Sequence, residues 1–402
     1  MVARFELLIG IALSVIAVVI PTFLPYAVLV QIALIVSTAR STPRSTIVRT
    51  LDLPMLLLCI IAATNLLVAL FPEITTPQVL RLLNGMALFR AALRLPTDVR
   101  HGFAEKMLLG LGVTSAASSL LLITAYLLPD MLGSVTNADG PILSGFLLTI
   151  SIGVIVKLRA TELSRSLKIV HLTAGALGIA VLVTQGITIV PIVLAIAVVT
   201  ALIAPNPQRL RILVPASVIA FVIIRVALGT APLAWVTVLF GLQRSEDLVM
   251  LREIWNRAWR IVIDFPFTGV GMGAFGPVVD ALYPLYSAPQ ARETRSAVLQ
   301  IMTDLGIPGI VVISVIGLQT CRIVGRALLS TASTAAHDAQ NKANFILMSS
   351  AVTAQMLLMF AGFGAAPMWG AAWSAPLVWL LWGAAVSIAS ARPPTAVDDS
   401  RE

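Results

Sequence analysis

Long apolar runs alternate with short polar connections along almost the whole chain. The runs are Phe5–Ile20, Phe23–Thr38, Leu51–Phe71, Gln78–Leu95, Met107–Leu128, Pro141–Val156, Ile169–Gln185, Thr188–Ala204, Ile212–Leu228, Ala297–Thr320, Asn344–Phe363 and Ala371–Ala389. A helix of roughly 20 apolar residues crosses about 30 Å of hydrocarbon, so the pattern predicts about twelve spans. Several runs are at the short end of the spanning range. Pro21 and Pro25 separate the first two, which read as two short spans in preference to one re-entrant hairpin. The expected fold is all-α, a polytopic membrane helical bundle.

Between the ninth and tenth runs, at 229–296, the pattern changes. Ser245, Glu246 and Asp247 make a helix start with acids in the first turn. Leu248, Leu251, Trp255, Ala258, Trp259 and Val262 then recur at spacings suited to one helical face. Arg252, Glu253, Asn256, Arg257 and Arg260 fill much of the rest. This predicts an amphipathic helix, lying in the membrane interface or packed over the bundle. Phe265-Pro266 ends it. Gly269, Gly271 and Gly273 alternate in the next stretch, which suits a tight turn with close backbone approach. No Gly-Lys-Ser/Thr follows, so it is not a phosphate-binding P-loop. A further helix is expected from near Thr294, with a kink permitted by Gly306 and Pro308.

Composition narrows the class. Of 402 residues, 58% are apolar and 11% charged, and mean hydropathy is +0.96. That excludes a soluble globular, disordered or fibrous chain. The net charge of +8 would suggest a nucleic-acid partner in a soluble protein. Here the basic residues occupy alternate connections: Arg40, Arg44 and Arg49; Arg100 and Lys106; Lys157, Arg159, Arg165 and Lys168; Arg209 and Arg211; Arg322, Arg326 and Lys342. The positive-inside rule then puts both termini in the cytoplasm and 229–296 on the outer face. The expected organisation is spans 1–9 in 1–228, an outer loop in 229–296, spans 10–12 in 297–390 and a cytoplasmic tail in 391–402. The first run reads as a retained span. Cys59 and Cys321 form no CxxC motif, so neither a disulfide framework nor a thiolate metal site is expected.

Two stretches resemble the O-antigen ligase and O-antigen polymerase superfamily. One is Arg252-x-x-Trp255, then Asp264-x-Pro266-x-Thr268-Gly269-Val270-Gly271-Met272-Gly273-x-Phe275. The other is Leu299-Gln300, then Asp304-x-Gly306-x-Pro308-Gly309. The resemblance implies a bacterial plasma-membrane glycosyl transferase. Such an enzyme moves a glycan from a polyprenyl diphosphate carrier to a lipid or glycan acceptor at the outer face. It implies an inverting reaction without metal or cofactor, with arginines holding the diphosphate and a histidine assisting the acceptor. The chain departs from the family where a His-x-His-Asn stretch is usual: Glu293, Arg295 and Ser296 stand in that register. His101, His171 and His337 all fall on the predicted cytoplasmic side.

Arg252, Arg295 and Arg225 are therefore the candidate diphosphate ligands, because guanidinium pairs with phosphate in a bidentate fork. Arg252 has a solvated helix face as its plainer explanation, and Arg225 has snorkelling to lipid headgroups. Arg295 stays protonated and cannot serve as a base. Glu293 is the candidate base, with Asp264 and Asp280 as the other outer carboxylates. Trp255, Gly269, Gly271 and Gly273 mark the loop motif. Expected partners are the lipid-linked donor, the acceptor, membrane lipids and a possible protein over the outer loop. Two other readings stand beside the transferase: a non-catalytic subunit that kept the fold, and a transporter of lipid-linked glycan.

Overall fold

A computed structural model describes residues 2–19, 21–38, 46–94, 103–127, 165–184, 245–284, 294, 296–332, 343–348 and 374–390. Among these, every regular element is helical. The helices are α1 (Val2–Val19), α2 (Leu24–Thr38), α3 (Thr46–Val68), α4 (Pro72–Leu93), α5 (Phe103–Leu127), α6 (Arg165–Thr184), α7 (Ser245–Asp264), α8 (Phe275–Leu282), α9 (Ala297–Ala332) and α10 (Ser374–Ser390). Residues 343–348 are helical too. The predicted runs Pro141–Val156, Thr188–Ala204 and Ile212–Leu228 lie outside the described residues, as does most of Asn344–Phe363. Two stretches among the described residues are long and apolar enough to cross a membrane, Thr50–Val68 and Val298–Leu328.

Short connections shape the bundle. A 3-10 turn at Pro21–Phe23 joins α1 to α2. Only Ala69, Leu70 and Phe71 separate α3 from α4. Pro72 opens α4, where a missing N–H costs nothing. The Phe71 carbonyl accepts from the Ile74 and Thr75 amides at 3.2 and 3.0 Å.

Small residues let α4 and α10 approach closely, as in membrane helix pairs. A Cβ on Gly85 would lie 2.2 Å from Trp379 Cδ1, and one on Gly383 would lie 2.5 Å from the Phe89 carbonyl oxygen. Phe89 and Trp379 meet edge to face, centroids 5.8 Å apart. Every residue of α10 from Val378 to Ala389 is buried, so α10 is a core helix; an all-round apolar sequence suits that place.

Polar side chains join helices inside this apolar frame. Gln31 on α2 donates to Asn84 Oδ1 on α4 at 2.8 Å, and Ser14 on α1 donates to the same oxygen at 3.0 Å. Arg90 on α4 pairs with Asp52 on α3 at 2.6 Å. Cys59 and Cys321 are both free thiols.

Candidate functional site

The glycine turn and the break in α9 form one unit, and the backbone chemistry of the break explains why. Gly306 sits at φ 71°, ψ −174°, which interrupts the helix. Pro308, lacking an N–H, cannot serve the Asp304 carbonyl. The Ile307 amide turns away to the Pro266 carbonyl at 2.7 Å, leaving the Thr303 carbonyl without its helical donor as well. Buried carbonyls need replacement donors. The glycine turn supplies them: Val270 N–H donates to Thr303 O at 2.8 Å, and Gly271 N–H to Asp304 O at 3.3 Å.

Close approach demands glycine on both sides. Gly269 is at φ 64°, and a Cβ there would lie 2.5 Å from the Asp304 backbone. A Cβ on Gly306 would lie 2.7 Å from the Phe267 carbonyl carbon. Gly271, at φ 114°, faces the buried Thr75 Oγ1 of α4, and Gly273, at φ 75°, faces Gln78. The turn is thus fitted to α4 as well as to α9.

Asn65 of α3 completes the junction. Its Nδ2 donates to the Thr268 carbonyl at 2.9 Å and to the Asp304 carbonyl at 2.6 Å. Its Oδ1 accepts from the Met272 amide at 3.1 Å. Sequence reasoning missed this residue. The signal was there: a carboxamide inside the apolar run Leu51–Phe71 needs partners and is by default a site of interest.

A second chain of bonds reaches the amphipathic helix. Trp255 Nε1 donates to the Thr294 carbonyl at 3.1 Å. The Thr294 amide donates to Gln300 Oε1 at 3.0 Å, and Gln300 Nε2 donates to Asp304 Oδ1 at 2.8 Å. Thr294, Gln300 and Asp304 are all buried. Ser296 Oγ accepts from the Leu299 amide and caps α9. The expected helix start near Thr294 thus resolves into a cap, with the helix beginning at Ala297.

The packed face of α7 keeps Ala258 and Val262, both buried as the periodicity predicts, and is rotated slightly from the predicted one. Ile254, Ala258 and Ile261 are buried against Val270, Phe275, Val278 and Val279, with Trp255 at the edge. Trp259 points out. Apolar residues cover more than half of this helix, so spacing alone did not fix its rotation, which packing against the apolar side of α8 sets.

Of the candidate ligands, Arg252 is exposed near the start of α7, one turn before Trp255. Asp264, at the other end, lies roughly 18 Å along the axis at 1.5 Å per residue, so the two do not share one small site. Asp264 accepts a hydrogen bond from the Tyr283 hydroxyl. Burial first, and the Asp264 carboxylate second, push the Tyr283 phenol up to about 12. Asp280 is exposed on α8. Arg225, Glu293 and Arg295 lie outside the described residues. The amides of Gly269, Val270, Gly271 and Met272 are all engaged within the protein. The turn therefore docks the loop and is not an anion cradle. His171 is buried between α5 and α6, with Nε2 2.9 Å from the Leu108 carbonyl.

Among the described residues these features define an all-helical protein whose amphipathic helix α7 is locked, through a glycine turn, to a broken helix long and apolar enough to cross a membrane. Residues 172–314 match the family model described as O-antigen ligase, and the match supports membership of the chain in the O-antigen ligase and polymerase superfamily. The matched segment contains α7, the glycine turn, α8 and the break in α9. No curated protein matches the chain.

Proposed function

We propose that the protein is a membrane glycosyl transferase that moves a glycan from a polyprenyl diphosphate carrier to a lipid or glycan acceptor at the outer face of the bacterial plasma membrane. The family match over residues 172–314 carries this reading. In it, the chain makes about twelve spans with both termini cytoplasmic, and 229–296 is the outer loop between the ninth and tenth. Arg252 is the residue best suited to the leaving group. Its guanidinium is exposed on α7, while Trp255 one turn away pins the helix to the start of α9. Arg225 and Arg295 are the other candidate diphosphate ligands, and Glu293 the candidate base. The reaction is inverting and uses no metal: the acceptor hydroxyl attacks the anomeric carbon, and arginine charge stabilises the departing diphosphate.

The test is transfer of a labelled polyprenyl diphosphate glycan by the purified protein in liposomes, with donor and acceptor drawn from native membranes. Wild-type turnover with at least a tenfold loss in Arg252→Ala, about 1.4 kcal/mol of transition-state stabilisation, is expected. One observation favours a second reading, a non-catalytic partner subunit. Residues 293–296 contain no histidine, and His171 is committed to helix packing. That reading predicts no transfer and a protein that co-purifies through the loop.

A further inference from the structure

Among the described loop residues, Trp259, Ile263 and Phe267 point away from the packed core, as does Leu282 at the end of α8. Trp259, Ile263 and Phe267 are 52%, 61% and 78% exposed. Trp259 and Ile263 are neighbours one turn apart on α7, and Phe267 follows four residues later in the turn. They lie opposite Ile254, Ala258 and Ile261, which already have their partners. A cluster of this kind, on a loop otherwise tied down by hydrogen bonds, calls for an apolar environment.

The adjoining surface identifies that environment. The bond from Ile307 N–H to the Pro266 carbonyl sets Phe267 beside Ile307. From Ile307 onward, α9 exposes Val311, Val315 and Leu318 in one stripe, followed by the exposed Arg322 and Arg326. This stripe lies on the stretch that is long and apolar enough to cross a membrane. From Ile307 to Arg322 it measures about 22 Å at 1.5 Å per residue, short of the roughly 30 Å of a hydrocarbon core. N-terminal to Gly306 the stripe is interrupted, because Gln300, Thr303 and Asp304 are buried beneath the loop. Phe267 and Ile263 stand at the point where the missing height is needed. Trp259 and the exposed Arg260 come next along α7, in the order of depth that interfacial tryptophan and phosphate-binding arginine prefer.

We infer that Trp259, Ile263 and Phe267 form a membrane-insertion face, seated in the leaflet next to the loop and continuous with the lipid-facing stripe of α9. The occupant is phospholipid: acyl chains against Ile263 and Phe267, headgroups at Trp259 and Arg260. The face holds the glycine turn at the bilayer surface. It does not depend on the transfer reaction.

The wild-type protein in liposomes containing a photoactivatable diazirine phospholipid tests this directly. Adducts are expected at Ile263 and Phe267 as well as at Val311 and Leu318. Labelling of Val311 and Leu318 alone overturns the inference. A second measurement uses Ile263→Cys and Phe267→Cys, each with an environment-sensitive fluorophore, in protein whose Cys59 and Cys321 are replaced by serine. Spin-labelled lipid should quench both several-fold more than iodide does, and Asp280→Cys should show the reverse. Quenching of positions 263 and 267 by iodide, or protection from both quenchers by a protein contact, refutes it.

Discussion

Gly269 and Gly306 each press against the backbone that carries the other, so neither site has room for a methyl group. Both also have positive φ, which costs an L-residue roughly 1–2 kcal/mol before any clash. Gly269→Ala and Gly306→Ala should each lower stability by about 3 kcal/mol or more, read as thermal unfolding in detergent. Gly325→Ala is the matching control. Nothing lies within 4 Å of a Cβ there, and in a helix alanine gains about 0.5–1 kcal/mol over glycine. An equal loss in all three variants would refute the packing argument. The alternation of these glycines was legible in the sequence, but their purpose was not. Spacing cannot distinguish a turn that binds an anion from one that lends its amides to a broken helix. Tyr283 gives a pH test at the same scale. Its folded pKa of about 12 lies above the 10.0 of a free phenol, so the folded state holds the proton more tightly. Its contribution is complete below pH 10 and is lost as pH rises toward 12. Tyr283→Phe should flatten that alkaline loss, and phenolate absorbance should show one of the four tyrosines titrating late. Ordinary titration of all four would remove the Asp264 contact from the account.

Asn65 acts at the scale of elements, because one carboxamide joins α3, the glycine turn and the break in α9. Asn65→Ala leaves the Met272 amide and the Thr268 carbonyl without partners. The cost should be about 2–4 kcal/mol, with about 1–3 kcal/mol from the buried Met272 amide and less from the part-buried Thr268 carbonyl. The effect should be local. Deuterium exchange at Val270 and Met272 should accelerate at least tenfold, while α10 stays protected. Asn65→Asp keeps the acceptor for Met272 but removes both donors, so Met272 should be spared more than in the alanine variant. Uniform acceleration across the bundle would mean that Asn65 supports general packing instead. The helices themselves were legible as apolar runs, since Val2–Val19, Leu24–Thr38, Thr46–Val68, Pro72–Leu93 and Ser374–Ser390 are helices close to where hydropathy marks them. The helix starting at Ser245 and the kink at Gly306 were legible from local chemistry. The outward turn of Trp259 was not, nor was the Asn65 junction. Asn65 and Asp304 are far apart in sequence, and a pattern with a period of 3.6 carries no information about which distant carbonyl a side chain will meet.

For the molecule as a whole, charge and connectivity point the same way. Asn65, near the end of α3, meets Asp304 near the start of α9, so this junction marks the loop end of the bundle. Asp52 is roughly 20 Å from Asn65 along α3 at 1.5 Å per residue, and it pairs with Arg90 across the α3–α4 hairpin. Arg322 and Arg326 follow the exposed stripe of α9 away from the junction. The membrane-flanking arginines of these three helices therefore gather at the end opposite the loop. The positive-inside rule keeps basic ends in the cytoplasm; on the proposed function the loop is then outside, where a transferase using a flipped lipid-linked glycan must work. Cysteine accessibility in spheroplasts decides the point. With Cys59 and Cys321 replaced, Asn256→Cys should react with a membrane-impermeant maleimide in intact spheroplasts. Arg326→Cys should react only after permeabilisation. The reverse pattern would put α7 and Arg252 in the cytoplasm. It would rule out an outer-face donor site while leaving the bilayer contact of Ile263 and Phe267 intact, because that contact depends on lipid depth and not on the side of the membrane.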